Sequence, residues 1–251
     1  MKIQKLGVQL YTIRNFMKTP EDVRESFRKL KALGYEQGQT AGCAIPYEEY
    51  GRIAKEENFE IVGTHDNFQM MVEDFDQSAQ NHKALGTSLM GIGGFRPESI
   101  ADVDDFIAKA NIVGEKAAKL GGKFTYHNHS HEFIRFEDGS NTLDRLAAGL
   151  NPETTSFVLD TYWIQHGGGD VRKWIEKLSG RIDILHLKDM GRNQDGPFIT
   201  EIGQGNLYWE GILEAAEKAG VRYYVVEQDH CPGDPFESLK ISSEYIHKHF
   251  M

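Results

Sequence analysis

Residues 124 to 133 read FTYHNHSHEF, with three histidines and a glutamate packed into six positions and aromatic residues on either side. Imidazoles and a carboxylate at that density suit a metal ion, a proton-transfer pair or a polar strand end. Three further segments, FVLD, ILHLK and VVE, place a polar residue within or just after an aliphatic run. Each has an ordinary explanation alone. A histidine on a strand is commonly hydrogen-bonded in a core, and an aspartate at a strand end commonly caps a helix. Together Glu132, Asp160, His186 and Glu227 form a set of mixed carboxylate and imidazole donors. Such a set suits one divalent metal ion such as Mn²⁺, Mg²⁺, Co²⁺ or Zn²⁺. Three carboxylates sharing a dry pocket repel one another, and a cation removes that cost. A metal-free polar network is the other reading.

The elements that must position these residues are short apolar runs alternating with helical patterns. Eight runs occur in order: KLGVQLYT, YEQGQT, EIVGTHDNF, SLMGIGG, KFTYHNH, SFVLDTYWI, IDILHLKDM and RYYVVEQDH. Strands alternating with helices imply βαβ units and a parallel sheet. The helices carry their own signals. In TPEDVRESFRKLKALG, Thr19 is a cap, Pro20 opens the helix, Val23, Phe27 and Leu30 form one stripe, and Gly34 closes it. Residues 101–122 place Val103, Phe106, Ile107, Ala110, Val113, Ala117 and Leu120 on one stripe, and Asp234-Pro235 caps a last helix with Leu239 and Ile246 on one face. Eight units of about 31 residues give a (β/α)8 TIM barrel, class α/β, as a single domain over 1–251. An open doubly wound sheet is the alternative, but the GxGxxG turn after the first run is missing.

Barrel chemistry sits at the carboxyl ends of the strands. Read run by run, those ends carry Gln9, Tyr11 and Arg14; Gln39; His65, Asp66 and Asn67; His127, Asn128, His129, His131 and Glu132; Asp160 and Trp163; His186, Lys188 and Asp189; and Glu227, Asp229 and His230.

Bulk composition narrows the partners. The chain of 251 residues has 28 Lys+Arg against 38 Asp+Glu, a net charge of −10. That balance argues against nucleic acid and against an anionic membrane surface. No apolar run is long enough to span a membrane or to act as a signal peptide. Cys43 and Cys231 are far apart and form no CxxC, which fits free thiols and a cytoplasmic location. Monomer and homo-oligomer are both open.

The ordered motifs GVQLYTIR, YHNHSHEF, LDTYW, HLKDM and VEQD make the chain resemble the sugar phosphate isomerase/epimerase superfamily, the xylose-isomerase-like TIM barrels. The likeness runs the whole length and is strongest for a subgroup with a YHNHxxEF strand. The superfamily includes ketose 3-epimerases, hydroxypyruvate isomerase, inosose dehydratase and endonuclease IV. The resemblance implies one divalent metal held by Glu, Asp, His and Glu from the later strands. Asp160, His186 and Glu227 match the last three positions. The first does not match: a gapless comparison puts Tyr126 there and Glu132 at the second family glutamate, six residues on. Glu132, His127 or His129 is then the fourth ligand. Gln39 stands where many relatives have Glu.

The implied reaction is proton abstraction beside a carbonyl through an enediolate, on a small ketose or keto-sugar. Glu132 and Glu227 are the expected acid/base pair. Lys188, two residues after His186, points the same way and is a candidate for binding oxyanions or giving a proton. His65, His127 and His129 are candidate substrate contacts, and Trp163 and Tyr11 candidate walls for a sugar face. Isomerase or epimerase is the first expectation, and a dehydratase is the second, with the extra histidines protonating a leaving hydroxyl. A nuclease comes far behind, because the charge is wrong for DNA. A catalytically dead sugar-binding barrel conflicts with four intact candidate ligands.

Overall fold

The computed structural model describes residues 2–251. Eight parallel strands carry the fold: β1 (Leu6–Gln9), β2 (Tyr35–Ala41), β3 (Glu60–His65), β4 (Leu89–Ile92), β5 (Lys123–His127), β6 (Thr155–Asp160), β7 (Ile182–Leu187) and, after a hairpin of β8 (Asp189–Asn193) and β9 (Gly196–Thr200), β10 (Tyr223–Val226). Their order is β3-β2-β1-β10-β7-β6-β5-β4, so the sheet curls until its two edges meet. The result is a nearly closed TIM barrel, a single domain wrapped in helices.

The joint between β3 and β4 differs from the other seams. No regular ladder runs there. The Asp66 N–H donates to Gly91 O (2.8 Å), and the Gly91 N–H donates to Thr64 Oγ1 (3.1 Å). Gly91 is required at this joint, because a Cβ on it would lie 2.2 Å from Thr64 O. Thr64 Oγ1 in turn lies 2.7 Å from His82 Nε2, and His82 Nδ1 lies 2.7 Å from Ser78 O.

Local signals act as the sequence implies. Thr19 and Asp22 form a capping box at the helix Pro20–Ala32, with Pro20 at its start and Gly34 beyond its end at φ +90°. Asp234 caps Pro235–Phe250. Leu120 departs from expectation: it is the C-cap residue of Ile100–Lys119 and is 66% exposed, because the stripe ends one turn earlier. Cys43 and Cys231 are both free. No helix among the described residues is long and apolar enough to cross a membrane.

The floor of the site follows from the strand period. A separate apolar cluster of Val62, Leu89, Val158, Ile184 and Val225 brings residues from five barrel strands together. Side chains two apart on a strand share a face. Val158, Ile184 and Val225 therefore lie under Asp160, His186 and Glu227, and an apolar plug supports a polar rim.

The hairpin β8–β9 is an addition to the eight-unit pattern. Its strands, DMGRN and GPFIT, mix a few apolar residues with Gly and Pro and meet at the turn Asn193–Gly196, so no sustained apolar run announces it. It carries the chain into the turn-rich segment 201–206. Asp189 organises that loop. Its carboxylate accepts from the backbone N–H of Met190, Gly203, Gly205 and Leu207 and from Trp209 Nε1, at 2.8–3.2 Å.

Candidate active site

At the carboxyl ends of β5, β6, β7 and β10, His127, Asp160, His186 and Glu227 converge, with one donor atom from each lying within 4.8 Å of the others. All four are buried. His186 Nδ1 is 2.9 Å from Glu227 Oε2 and 3.7 Å from Asp160 Oδ2, and His127 Nε2 is 3.4 Å from the same Asp160 oxygen. The backbone fixes this geometry: Asp160 and His186 are directly paired across β6 and β7, and His186 is paired with Val225 of β10. The Asp160 Oδ1 atom is spent on capping the next helix through the Trp163 N–H, and the Asp160 N–H is held by Asn128 Oδ1.

Both imidazoles turn an acceptor toward the carboxylates. His127 Nδ1 lies 3.2 Å from Gly93 O, and a carbonyl can only accept, so the ring proton is on Nδ1 and Nε2 faces Asp160. His186 Nε2 lies 2.5 Å from Gln39 Oε1, which leaves Nδ1 facing Glu227. His186 Nδ1 and Glu227 Oε2 are buried and meet outside hydrogen-bond geometry. Lone pairs aimed at one another in this way suit a cation between them. Ligands held at ~2.1 Å from a common ion lie about 3.0–3.4 Å apart, and the contacts here, at 2.9, 3.4 and 3.7 Å, are close to that spacing. The cluster thus fits a metal ion, with His127 as the β5 donor.

Glu132 does not join this group. It lies in a 3₁₀ turn, His131–Phe133, past the end of β5, so it no longer follows the strand's inward direction. Its Oε1 accepts from the Tyr126 hydroxyl (2.8 Å) and its Oε2 from the His129 N–H (2.9 Å), while His131 Nε2 lies 3.4 Å from Oε1. The expected ligand Glu132 is a buried anchor of the 127–133 turn in this structure, with both oxygens engaged. Tyr126, at the family's first-ligand position, is its partner.

Lys188 belongs to the cluster. Its fully buried ammonium lies 3.0 Å from Asp160 Oδ2, 2.9 Å from Glu227 Oε2 and 2.7 Å from Asp229 Oδ2. It makes no ion pair with the adjacent Asp189, which faces the 201–207 loop. Burial by itself would raise the Asp160 and Glu227 carboxyls. The Lys188 ammonium, helped by His127 and His186, overrides burial and holds both well below the usual carboxylate range. Burial would likewise lower Lys188 and His186, and the surrounding carboxylates push both up instead. Burial and the neighbouring His127 hold His129 neutral, its pKa lowered to about 3.

A cleft of ≈ 530 Å³ opens over the cluster, and Tyr11, His65, Gly93, His127, His129, Glu227 and Asp229 are among its walls. Tyr11 is 40% exposed with the Arg14 guanidinium over its ring at 4.1 Å. Trp163 packs behind, its ring 5.3 Å from His129 and 5.2 Å from Lys188 Nζ. Gly94, at φ +135°, lets the β4 loop pass His129, since a Cβ there would lie 3.0 Å from His129 Nδ1. A larger groove of ≈ 740 Å³, lined by Ser88 and Gly122, lies at the amino ends of β4 and β5, away from this chemistry. Sequence reading put Asp229 and Gln9 at strand ends without assigning them roles. The signal for Asp229 is its spacing, two residues after Glu227.

A family model described as xylose isomerase-like TIM barrel matches residues 27–248. The chain belongs to this family. It is similar to inosose dehydratase of Lactiplantibacillus plantarum, 26% identical over 59% of this chain and 54% of that one, so the match spans about half the relative's length. An inosose dehydratase of Mesomycoplasma hyopneumoniae (strain J) is 22% identical over 88% of this chain and 87% of its own. Among solved structures, a sugar phosphate isomerase/epimerase from Parabacteroides distasonis superimposes with a TM-score of 0.82 at 23% identity, covering 96% of this chain and 92% of that one.

Proposed function

We propose that this chain is a divalent-metal-dependent enzyme that removes a proton beside the carbonyl of a small polyhydroxy ketone, and that the usual outcome is loss of water. The observation that carries the dehydratase reading is the engagement of both Glu132 oxygens at Tyr126 and His129. Epimerisation by two facing carboxylates needs that second group free. Glu227 is left on the cleft wall beside Asp229, which pairs with Lys188. The similarity to inosose dehydratases supports the same reading.

His127, Asp160, His186 and Glu227 would hold the metal. When bound, it would polarise a substrate oxygen and stabilise an enediolate. Glu227 is kept ionised by Lys188 and His186, which is the protonation state that a base for the carbon-bound proton requires. Lys188 holds Glu227 and Asp229 in place and puts a fixed positive charge where enolate charge develops. The C–H bond breaks, a C=C bond forms, and the C–O bond of the neighbouring hydroxyl breaks. The proton on Glu227 leaves with that hydroxyl as water, so one group serves as base and then acid. His65 and His129 line the cleft where substrate oxygens would lie. Tyr11 offers an apolar face for the carbon skeleton, and Trp163 backs His129.

Isomerase or epimerase chemistry is the second reading, favoured by the fold likeness to a sugar phosphate isomerase/epimerase. Net charge −10 supports a small molecule over nucleic acid as the partner. The deciding experiment incubates the protein with inososes and ketoses in D₂O, with and without Mn²⁺, Co²⁺ or Zn²⁺. A product lighter by one water is expected. Deuterium entering a product of unchanged formula establishes the second reading, and cleavage of abasic DNA without exchange into sugars overturns both.

A further inference from the structure

Gln9 ends β1 and caps the 3₁₀ turn Leu10–Phe16, and it is fully buried. The Tyr11 N–H donates to its Oε1 (3.2 Å). A backbone N–H can only donate, so this contact fixes which end of the Gln9 amide is oxygen. The Gln9 NH₂ group must then face the other way. One hydrogen goes to Gln39 Oε1 (3.1 Å) and the other to His65 Nδ1 (3.3 Å). Gln39 is fixed a second time by its own Nε2, which donates to Thr64 O (3.5 Å). With Gln39 presenting oxygen, His186 must carry its proton on Nε2, and with His65 Nδ1 accepting, His65 must carry its proton on Nε2. His65 Nε2 is buried without a partner in the protein, at a residue that lines the cleft.

We propose that Gln9 is a positioning residue that sets the tautomers of two histidines from one backbone amide. It turns the Nδ1 lone pair of His186 toward Asp160 and Glu227 as a ligand, and it makes His65 an N–H donor for a substrate oxygen. The second half rests on the polyhydroxy-ketone reading above. The tautomers themselves do not, and they are measurable without metal or substrate. Gln39 is neutral where relatives often carry Glu, but either residue would present an oxygen to His186. Gln9 is different, because its two N–H groups have no counterpart in a carboxylate.

The test is two-bond ¹H–¹⁵N correlation of the histidine rings in metal-free ¹⁵N-labelled protein at pH 7.5, with His65 assigned through His65→Gln. Wild type is expected to have the pyridine-type nitrogen of His65 at Nδ1 and protons on Nε2 of both His65 and His186. In Gln9→Glu the carboxylate still accepts from Tyr11 but has no hydrogen to give, so the two nitrogen types of His65 should exchange places. Gln39→Glu should leave His65 as in wild type. Gln9→Met, which keeps the bulk and removes both donors, should lose the single tautomer even if Gln9→Glu fails to fold. An Nδ1–H His65 in wild type, or an unchanged Nε2–H in Gln9→Glu or Gln9→Met, overturns the proposal. So does an equal change in Gln39→Glu, which would mark general loosening instead of a directed hydrogen bond.

Discussion

Lys188 Nζ lies 2.9 Å from Glu227 Oε2, the same oxygen that stands 2.9 Å from His186 Nδ1. One carboxylate oxygen therefore serves an ammonium and an imidazole at once, with Asp160 Oδ2 placed in the same way at 3.0 Å from Lys188. Removing the lysine charge leaves buried carboxylates uncompensated. Lys188→Met should cost about 3–5 kcal/mol of stability in metal-free protein, the usual penalty for breaking a buried pair from one side. Added Zn²⁺ or Mn²⁺ should recover part of it. Urea unfolding with and without metal checks this, and a variant as stable as wild type would remove Lys188 from the electrostatic account.

Metal affinity separates the two candidates from the YHNHSHEF segment. His127→Ala, Asp160→Ala and His186→Ala should each lose bound metal on dialysis, measured by atomic emission. Glu132→Gln should retain it, because its carboxylate is tied to Tyr126 and the His129 N–H. Retention by His127→Ala with loss by Glu132→Gln would return Glu132 to the ligand set.

Turnover should fall at least about 10²-fold in Glu227→Gln, the common size of a general acid–base contribution. Steady-state rates on whichever ketone proves to be the substrate provide the measurement, with metal content determined alongside to separate chemistry from ligation.

Acid should destabilise the metal-free protein in two stages. Burial keeps His65, His82 and His129 neutral in the fold, each lowered from its ordinary value. A group with a depressed folded value contributes fully above its unfolded pKa, about 6.5 for histidine, and loses that contribution as pH falls toward the folded one. For His129 this runs down to about 3. Asp160 and Glu227, also depressed, add their loss below about pH 4. His186, raised by its carboxylate neighbours, works in the opposite sense over the same range, but three lowered histidines outweigh one raised, so urea midpoints at pH 7.5, 5.5 and 4 should decline stepwise, and a flat profile from 7.5 to 5.5 would contradict the histidine assignment.

Asp189→Ala should loosen the 201–207 loop without touching the metal cluster. Its carboxylate accepts five hydrogen bonds. Bonds to a charged group contribute about 1.5–3 kcal/mol each, so a loss of at least about 3 kcal/mol is expected. Thermal melting and amide exchange at Gly203 and Gly205 measure it.

The parts that local chemistry decides were legible in the sequence. Thr19, Pro20, Asp234 and Pro235 act within one helical turn, and the eight apolar runs are barrel strands because each buries its own face. Lys188 and His186 share a side because they stand two positions apart on β7 and its extension. The parts decided by distant partners were not legible. Glu132 leaves the cluster because a 3₁₀ turn redirects it and Tyr126 receives it. The hairpin Asp189–Thr200, DMGRN and GPFIT, breaks its few apolar residues with Gly and Pro and shows no sustained alternation, so periodicity says nothing about it. His127 as metal donor depends on the Gly93 carbonyl, in the loop that follows β4.

The joint between β3 and β4 makes the barrel mechanically uneven. Seven seams are ladders, while this one is held by Asp66 N–H on Gly91 O and by Gly91 N–H on a threonine side chain. Thermal breathing concentrates where the fewest bonds must break. The ring should flex as a split collar, hinged opposite the joint, with the amides of β3 and β4 exchanging ahead of those of β6 and β7. His65 sits at the lip of that split, so the width of the mouth and the reach of its N–H vary together.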